Sequence, residues 1–417
     1  MKISRRRMLL STATVSLVAG SFGAAWAQGT NPVRIGFTAS QSGALASMSK
    51  TVLLAREIWR DDINARGGLL GRPVELVFYD DQSNSSVSPG LYSKLIDVDK
   101  VDILFGPYGT PLFAPVMPML KQRDLLIMGI FCTWANEALK HDKYFHMAPY
   151  GSGKSEFQAG FTKLAARKGV KSIAILASDT EGTLVWADMS RNAARRLGVQ
   201  IVYDQKYPYN SIDFSSIMRA IDATRPESVY IAAYAPETSA ILHVMEELGI
   251  GDDYKLFGGG LIGLQAGPLL QSLGERVNGI VNFNTYVPDL EFKGTKSFFE
   301  TYRSRAKKAG IDVLGLYVAP FAFAQGQVLE QAVNGTKSLD GATLAKYMHQ
   351  SEFDTIVGKF RFGPTGEWTE GRVLVTQFQG VKGNDLEQFE RAGTQVILEP
   401  EAYATGELIM PYGKARR

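Results

Sequence analysis

The sequence predicts an α/β protein made of two doubly wound lobes, each a parallel sheet covered by helices on both faces. Three observations lead there. Short β-rich runs alternate with segments of helical periodicity along most of the chain, the pattern of strand–helix–strand units. The alternation runs as two successive series, and 417 residues suffice for two or three domains. Several strands end in turns rich in Gly, Ser and Thr, at the sheet edge where open α/β folds collect their ligands.

The first series opens with "VRIGFTA" (Val33 to Ala39) as a strand. Met48, Val52, Ala55, Trp59 and Ile63 then recur at helical spacing, with Arg56, Glu57, Arg60 and Asp61 on the opposite side. "ARGGLLGRP" stops that helix with glycines, and "VELVFYD" (Val74 to Asp80) is the second strand. "VSPGLYSKLIDVDK" reads as a helix, "VDILF" as a strand, "TPLFAPVMPMLKQ" as a helix and "LLIMGI" as a strand. In the second series the helices are "FQAGFTKLAARKG", "LVWADMSRNAARRLG", "FSSIMRAIDATRP" and "TSAILHVMEELG". Between and after them lie the strands "KSIAILAS", "QIVYDQKYP", "SVYIAAY" and "KLFGGG". The tail differs: "GIVNFNTYV" reads as a connector and "FAFAQGQVLEQAVNG" as a helix. "GKFRFGPTGEWTEGRVLVTQFQG" reads as a hairpin around Gly363 to Gly366. These segments return to the first lobe and then cross again.

The N-terminus is a separate matter. Lys2, Arg5, Arg6 and Arg7 precede a modestly apolar stretch from Met8 to Ala25, and "AWA" ends at Ala27. Basic, then apolar, then small-x-small is the layout of a signal peptide over residues 1–27, and Arg5-Arg6 in "SRRRMLL" matches the twin-arginine pattern. The four leader cations exceed the net charge of +3, so the remaining chain carries −1. That balance gives no footing for nucleic-acid binding. Beyond the leader no segment reaches the roughly 20 apolar residues of a membrane span. The expected place is the periplasm, with cleavage near Ala27 and no direct membrane insertion afterwards. Cys132 is the only cysteine, so the fold rests on core burial without an intramolecular disulfide.

Several motifs suggest chemistry and fall short of it. "GGGLIG" (Gly258 to Gly263) fits G-x-G-x-x-G but comes late in its series, and Asn278 and Asn282 lie where a dinucleotide site needs an acid. "APYGSGKS" (Ala148 to Ser155) approaches a P-loop, yet Ala148 replaces its first glycine and no strong strand feeds it. His141, His146, His243 and His349 form no metal-ligand pattern, and His141 and His146 in "HDKYFH" read as a surface loop. No nucleophile elbow is present. No cofactor and no metal are expected, and a binding protein fits better than an enzyme.

"VRIGFTASQSGALA", "INARGGLLGRPVELVFYDDQS", "VDILFGPYGT" and "IDFSSIMRAIDATRPESVYIAAYAPET" resemble the type I periplasmic solute-binding proteins of ABC importers, nearest to the leucine/isoleucine/valine-binding kind. The most specific pieces are the "INARGGLLGRPVEL" helix end and the acidic pair Asp80-Asp81. The resemblance implies two α/β lobes joined by a three-strand hinge, with the ligand in the cleft between them. It places residues 28–147 and 284–371 in the first lobe, and 148–283 and 372–417 in the second. It implies capture of a small carboxylate-bearing solute, an amino acid or an aromatic or other organic acid, by lobe closure and delivery to a membrane permease. A ligand sensor of the same fold, and less readily an α/β enzyme, are the other readings.

The resemblance also implies site residues. Free N–H groups at a helix N-terminus attract a carboxylate, so Gly109 and Thr110 are the candidates for holding one, with Thr110 read as the N-cap and Pro111 as the first helical residue. Tyr108 stacks on the ligand or props the loop. Ser42 belongs to the cleft loop "SQSGA", and Phe131 and Thr133 follow the fourth strand, with Trp134 facing the ligand or packing under the loop. On the second lobe Thr183 lies in the turn "SDTEGT" and Tyr234 matches the cleft tyrosine of the family. The acid that pairs with a ligand ammonium falls at Gly260, which removes that partner; Asp179, Glu181 and Glu237 are the available substitutes. With Tyr108, Phe131, Trp134 and Tyr234 in the candidate loops, a flat aromatic acid fits at least as well as a branched-chain amino acid.

Overall fold

The computed structural model describes residues 31–152 and 156–416. The leader expected at residues 1–27 lies outside the described residues, as do the last three residues of "APYGSGKS". The first lobe is built on β1 (Val33–Thr38), α1 (Ala46–Ala65), β2 (Val74–Tyr79), α2 (Ser88–Asp97) and β3 (Ile103–Tyr108). It continues through α3 (Thr110–Phe113), α4 (Met117–Gln122), β4 (Ile127–Ile130) and β5 (Tyr144–Met147). The five strands pair in parallel in the order β2-β1-β3-β4-β5.

The second lobe begins with α5 (Gly160–Arg167), β6 (Ser172–Ser178), α6 (Glu181–Leu197), β7 (Gln200–Tyr207) and α7 (Ser215–Ala223). β8 (Ser228–Ala233), α8 (Ala235–Leu248), β9 (Leu256–Leu261), α9 (Gly267–Leu273) and β10 (Val281–Asn284) follow. The chain then returns to the first lobe with α10 (Thr295–Ala309), α11 (Ala319–Thr336), α12 (Gly341–Gln350) and the paired strands β11 (Glu352–Thr355) and β12 (Gly358–Arg361). A third crossing leads to β13 (Leu374–Phe378), β14 (Gln395–Glu399) and the terminal turn α13 (Tyr412–Ala415). The second sheet has the order β14-β13-β10-β9-β8-β6-β7. Its first five strands in sequence are parallel; β13 and β14 add an antiparallel edge.

Four segments differ from the sequence expectation. The helix expected over "TPLFAPVMPMLKQ" is two short helices, because Pro111, Pro115 and Pro118 each remove a backbone donor. "GIVNFNTYV" contains β10 before it becomes a connector. The hairpin around Gly363 to Gly366 does not form: β12 pairs backwards with β11, and only the bridge Phe362–Trp368 spans the expected turn. That turn lies along β5 instead, where the Gly366 carbonyl accepts the His146 N–H at 2.8 Å. Finally, "YFHM" is the buried edge strand β5, so His146 is fully buried and not on a surface loop, and His141 is buried as well.

The first lobe is stitched through Arg56, which is 1% exposed and hydrogen-bonds no carboxylate among the described residues. Its Nε donates to Gln325 Oε1 at 3.0 Å and its Nη2 to the Gly106 carbonyl at 2.8 Å, while Gln325 Nε2 donates to the Met128 carbonyl at 2.7 Å. One side-chain pair thus ties α1, α11, β3 and β4 together. Burial pulls the Arg56 pKa down to about 9, and the guanidinium lies 4.5 Å from the Phe37 ring centroid, a cation–π contact that partly replaces water. Beside it α11 lies flush on α1 because Gly326 sits under the Trp59 indole, where a methyl group would come within 2.1 Å of the ring.

Gly326→Ala is therefore expected to destabilise the protein by about 1–3 kcal/mol through overpacking. Gly90→Ala in α2, where a methyl meets nothing within 4 Å, is expected to be neutral or stabilising by up to about 1 kcal/mol. Urea-unfolding midpoints of the two variants check this contrast.

Candidate ligand-binding cleft

Strand order decides where the site forms. In the first sheet β1 has β2 on one side and β3 on the other; in the second, β6 lies between β7 and β8. These are switch points, where successive crossovers diverge and leave a crevice beyond the strand ends. The segments following β1, β3, β6 and β8 supply Leu45, Gly109 to Pro111, Gly182 with Trp186, and Tyr234, and all of them line one cavity. Tyr108, Phe131, Thr133, Tyr150, Ile262 and Tyr317 complete the lining. The cavity is small, about 20 Å³, room for about one water. An organic solute therefore requires its walls to part.

None of the lining residues is charged. The walls are aromatic rings with hydroxyl tips. Tyr150 Oη and Tyr317 Oη are 3.2 Å apart, and Tyr108 also hydrogen-bonds Tyr317. Burial pushes Tyr108, Tyr150 and Tyr317 well above the usual tyrosine range and Tyr234 up to about 12, so all four face the cavity as neutral hydroxyls at pH 7. The Trp186 indole Nε1–H is buried without a hydrogen-bond partner among the described residues. Thr180 caps α6, a 17-residue helix whose second residue, Gly182, lines the cavity. The positive end of a helix dipole and its free N–H groups thus meet the cavity from the second lobe.

The turn after β4 carries the opposite wall. Phe131 and Trp134 have φ of 48° and 45°, left-handed values that cost about 1–3 kcal/mol each for residues with a Cβ. The Phe131 ring is held edge-on by Tyr317 at 4.5 Å, Phe321 at 5.2 Å and Tyr150 at 5.7 Å. The Thr133 N–H donates to Thr110 Oγ1 at 2.8 Å. Gly109, with φ 87° and ψ 148°, occupies a region essentially reserved for glycine.

The sequence profile of the periplasmic binding protein family matches residues 32–384. The chain belongs to this family. A Leu/Ile/Val-binding protein homolog of Brucella suis biovar 1 is 23% identical over 425 residues, covering 97% of this chain and 99% of its own length. An amino acid binding protein of Pseudomonas aeruginosa is 24% identical over 346 residues, covering 80% of this chain and 87% of its own. Among solved structures, a solute-binding protein of Rhodopseudomonas palustris in complex with p-hydroxybenzoic acid superposes with a TM-score of 0.73 at 20% identity, covering 89% of this chain and 98% of its own. A leucine-binding protein of Thermotoga maritima gives 0.71 at 20% identity, with 84% and 96% covered.

Of the residues expected at the site of this periplasmic binding protein, Tyr108, Gly109, Thr110, Phe131, Thr133 and Tyr234 line the cavity. The others are engaged elsewhere. Ser42 is exposed, and its carbonyl accepts from Ser83 Oγ at 2.7 Å; Leu45 from the same loop faces the cavity instead. Asp179 pairs with Lys206 at 3.1 Å. Thr183 turns its Oγ1 to the Ser178 carbonyl at 2.6 Å. Glu237 is fully buried and accepts from Ser178 Oγ, Tyr207 Oη, and the backbone N–H groups of Asn210 and Tyr234 at 2.9–3.2 Å, which leaves it no capacity for a ligand ammonium. Gly260 is inside β9 opposite Ala232, and Ile262 takes the cleft position beyond that strand. Trp134 packs edge-on against Phe157 at 6.0 Å. Thr110 is the first helical residue of α3, with Gly109 before it as the N-cap, and its hydroxyl makes no cap bond.

Sequence reasoning missed Tyr150, Trp186, Ile262 and Tyr317. Tyr150 sits in the stretch "APYGSGKS", weighed as a P-loop, and Trp186 lies on a helix face. Tyr317 precedes a helix in a segment far along the chain; only the tertiary path brings it to the cleft. The one cluster of metal-ligating types among the described residues is Asp124, His141 and Asp142, within 4.8 Å of one another and away from the cleft lining. Its groups are already used: Asp124 pairs with Lys143 at 2.6 Å and His141 Nε2 lies 2.8 Å from the Leu125 carbonyl.

Thr110→Ala removes the acceptor for the Thr133 N–H and is expected to cost about 1 kcal/mol. Thr110→Ser restores the bond and is expected to recover most of it. Chemical-denaturation curves of the two variants check the pair.

Proposed function

We propose that the protein is the solute-binding component of an ABC importer of the branched-chain amino acid type, and that its solute is a small aromatic carboxylate. The single observation that carries the ligand class is the lining: six aromatic rings and no charged side chain. An α-ammonium buried there would lack a counter-charge, and burying an unpaired charge is strongly unfavourable. A carboxylate has partners in the α6 N-terminus and the unpaired Trp186 indole, and a flat ring has aromatic faces to stack on. The p-hydroxybenzoic acid held by the Rhodopseudomonas palustris protein is a solute of this class. The tyrosine hydroxyls are suited to a phenolic oxygen.

In this reading the chain catalyses nothing. The lobes, residues 28–147 with 284–371 and 148–283 with 372–417, close on the solute about their three connections, and the closed form delivers it to a permease in the inner membrane. Among the described residues no helix is long and apolar enough to cross a membrane. Residues 1–27 serve as the export signal, so the exported protein is expected to begin at Gln28, which mass spectrometry of the secreted form checks.

A thermal-shift series tests the ligand class. Saturating 4-hydroxybenzoate at about a hundred times its Kd adds about 2.7 kcal/mol of apparent stability. The expected outcome is a clear rise in Tm with benzoate and 4-hydroxybenzoate and none with leucine or isoleucine. A rise with leucine alone overturns the aromatic assignment.

A further inference from the structure

Between Phe131 and Thr133, which line the cavity, Cys132 faces the lobe interior and packs in the same buried cluster as Tyr144. A polar group lies there that the ligand site does not use. His146 is fully buried and Glu367 is 2% exposed. Glu367 Oε2 is 2.6 Å from His146 Nδ1, and Tyr144 Oη is 3.4 Å from Glu367 Oε1. On the other side of the ring, the Cys132 backbone N–H meets His146 Nε2 at 2.9 Å.

The donors settle the tautomer. The Cys132 N–H can only donate, so Nε2 accepts and carries no proton; the carboxylate accepts, so Nδ1 carries one. Burial opposes a charge on this ring, while the Glu367 carboxylate and Cys132 favour one and push the His146 pKa up. A second proton would nonetheless set Nε2–H against the Cys132 N–H, two donors head to head, so this contact opposes it.

We propose that His146 and Glu367 are positioning residues for the ligand site. Glu367 fixes the imidazole as the Nδ1–H tautomer, Nε2 then holds the Cys132 N–H, and that bond pins the strained turn which presents Phe131 and Thr133 to the solute. Two N–H groups anchor this turn, at Cys132 and Thr133, and the left-handed residues Phe131 and Trp134 flank them. A turn under such strain relaxes when an anchor is lost. Glu367 lies between β12 and β13, just before the third crossing, and its neighbour Gly366 bonds β5 through the His146 N–H. The same dyad therefore ties the segment between β12 and β13 to the wall of the cleft.

The inference rests on reading the cleft as the ligand site, and the experiment separates the two. Imidazole ¹⁵N spectra and amide hydrogen exchange are recorded on the ligand-free mature protein, and 4-hydroxybenzoate affinity is measured by calorimetry. The expected wild-type ring is the Nδ1–H tautomer with a protected Cys132 amide. Glu367→Gln keeps an acceptor for Nδ1–H and is expected to preserve both, with affinity within about twofold. Glu367→Leu is expected to lose the tautomer preference, speed Cys132 exchange and weaken binding about five- to tenfold, the size of one lost hydrogen bond. An Nε2–H or doubly protonated His146 in the wild type overturns the proposal, whether or not the variants fold. So does Glu367→Leu with Cys132 exchange and affinity equal to those of Glu367→Gln. Absence of 4-hydroxybenzoate binding to the wild type counts against the ligand class alone, since the tautomer and exchange results still decide the positioning role.

Discussion

The backbone of the turn after β4 is the constraint on which the cleft depends. Phe131 and Trp134 are both held with left-handed φ, a conformation that residues with a Cβ keep only when their surroundings over-determine it. The surroundings here come from distant parts of the chain. Thr110 follows β3, His146 is in β5, Tyr150 begins the first crossing, Tyr317 precedes α11 and Phe321 lies in its first turn. The shape of the turn therefore depends on segments that return from the second lobe as well as on its neighbours in the first.

The cleft excludes charge from its lining, while carboxylates lie buried just behind it. Glu237 behind the second-lobe wall and Glu367 behind the first are each surrounded by donors, as a buried acid must be. Glu237 fixes the entry to α8 by accepting the Tyr234 N–H, and so fixes the cleft tyrosine. Glu367 orients His146 behind the first-lobe turn. The buried acids thus hold the wall in place without lining the cavity, whose walls are left to rings, hydroxyls and the end of α6.

Much of the fold was legible in the sequence, because alternating strand and helix periodicities are local. Gly109, Thr110, Phe131, Thr133 and Tyr234 follow strand ends in chain order, and the family resemblance singled them out there; all five line the cavity. What was not legible depended on contacts between remote segments. Tyr317 and Tyr150 join the cleft only through the crossings. β5 was hidden because a four-residue strand with a histidine lacks apolar alternation, and its histidine is tolerated only because Glu367 meets it from 221 positions away. Gly260, expected at the site, faces Tyr230 and the neighbouring strand while Ile262 faces the cavity, a difference that only the path of the chain beyond β9 decides.

The central claim is that an uncharged aromatic cleft with N–H donors on the second lobe takes an aromatic carboxylate. A crystal structure of the protein grown with 4-hydroxybenzoate tests it most directly. The account predicts the ring enclosed between the two lobes against Tyr234 and Trp186, with a ligand oxygen within hydrogen-bonding distance of the Trp186 Nε1–H or the α6 N-terminus. A ligand bound outside this cleft, or bound in it with Trp186 Nε1 and the first turn of α6 both left unpaired, would contradict it.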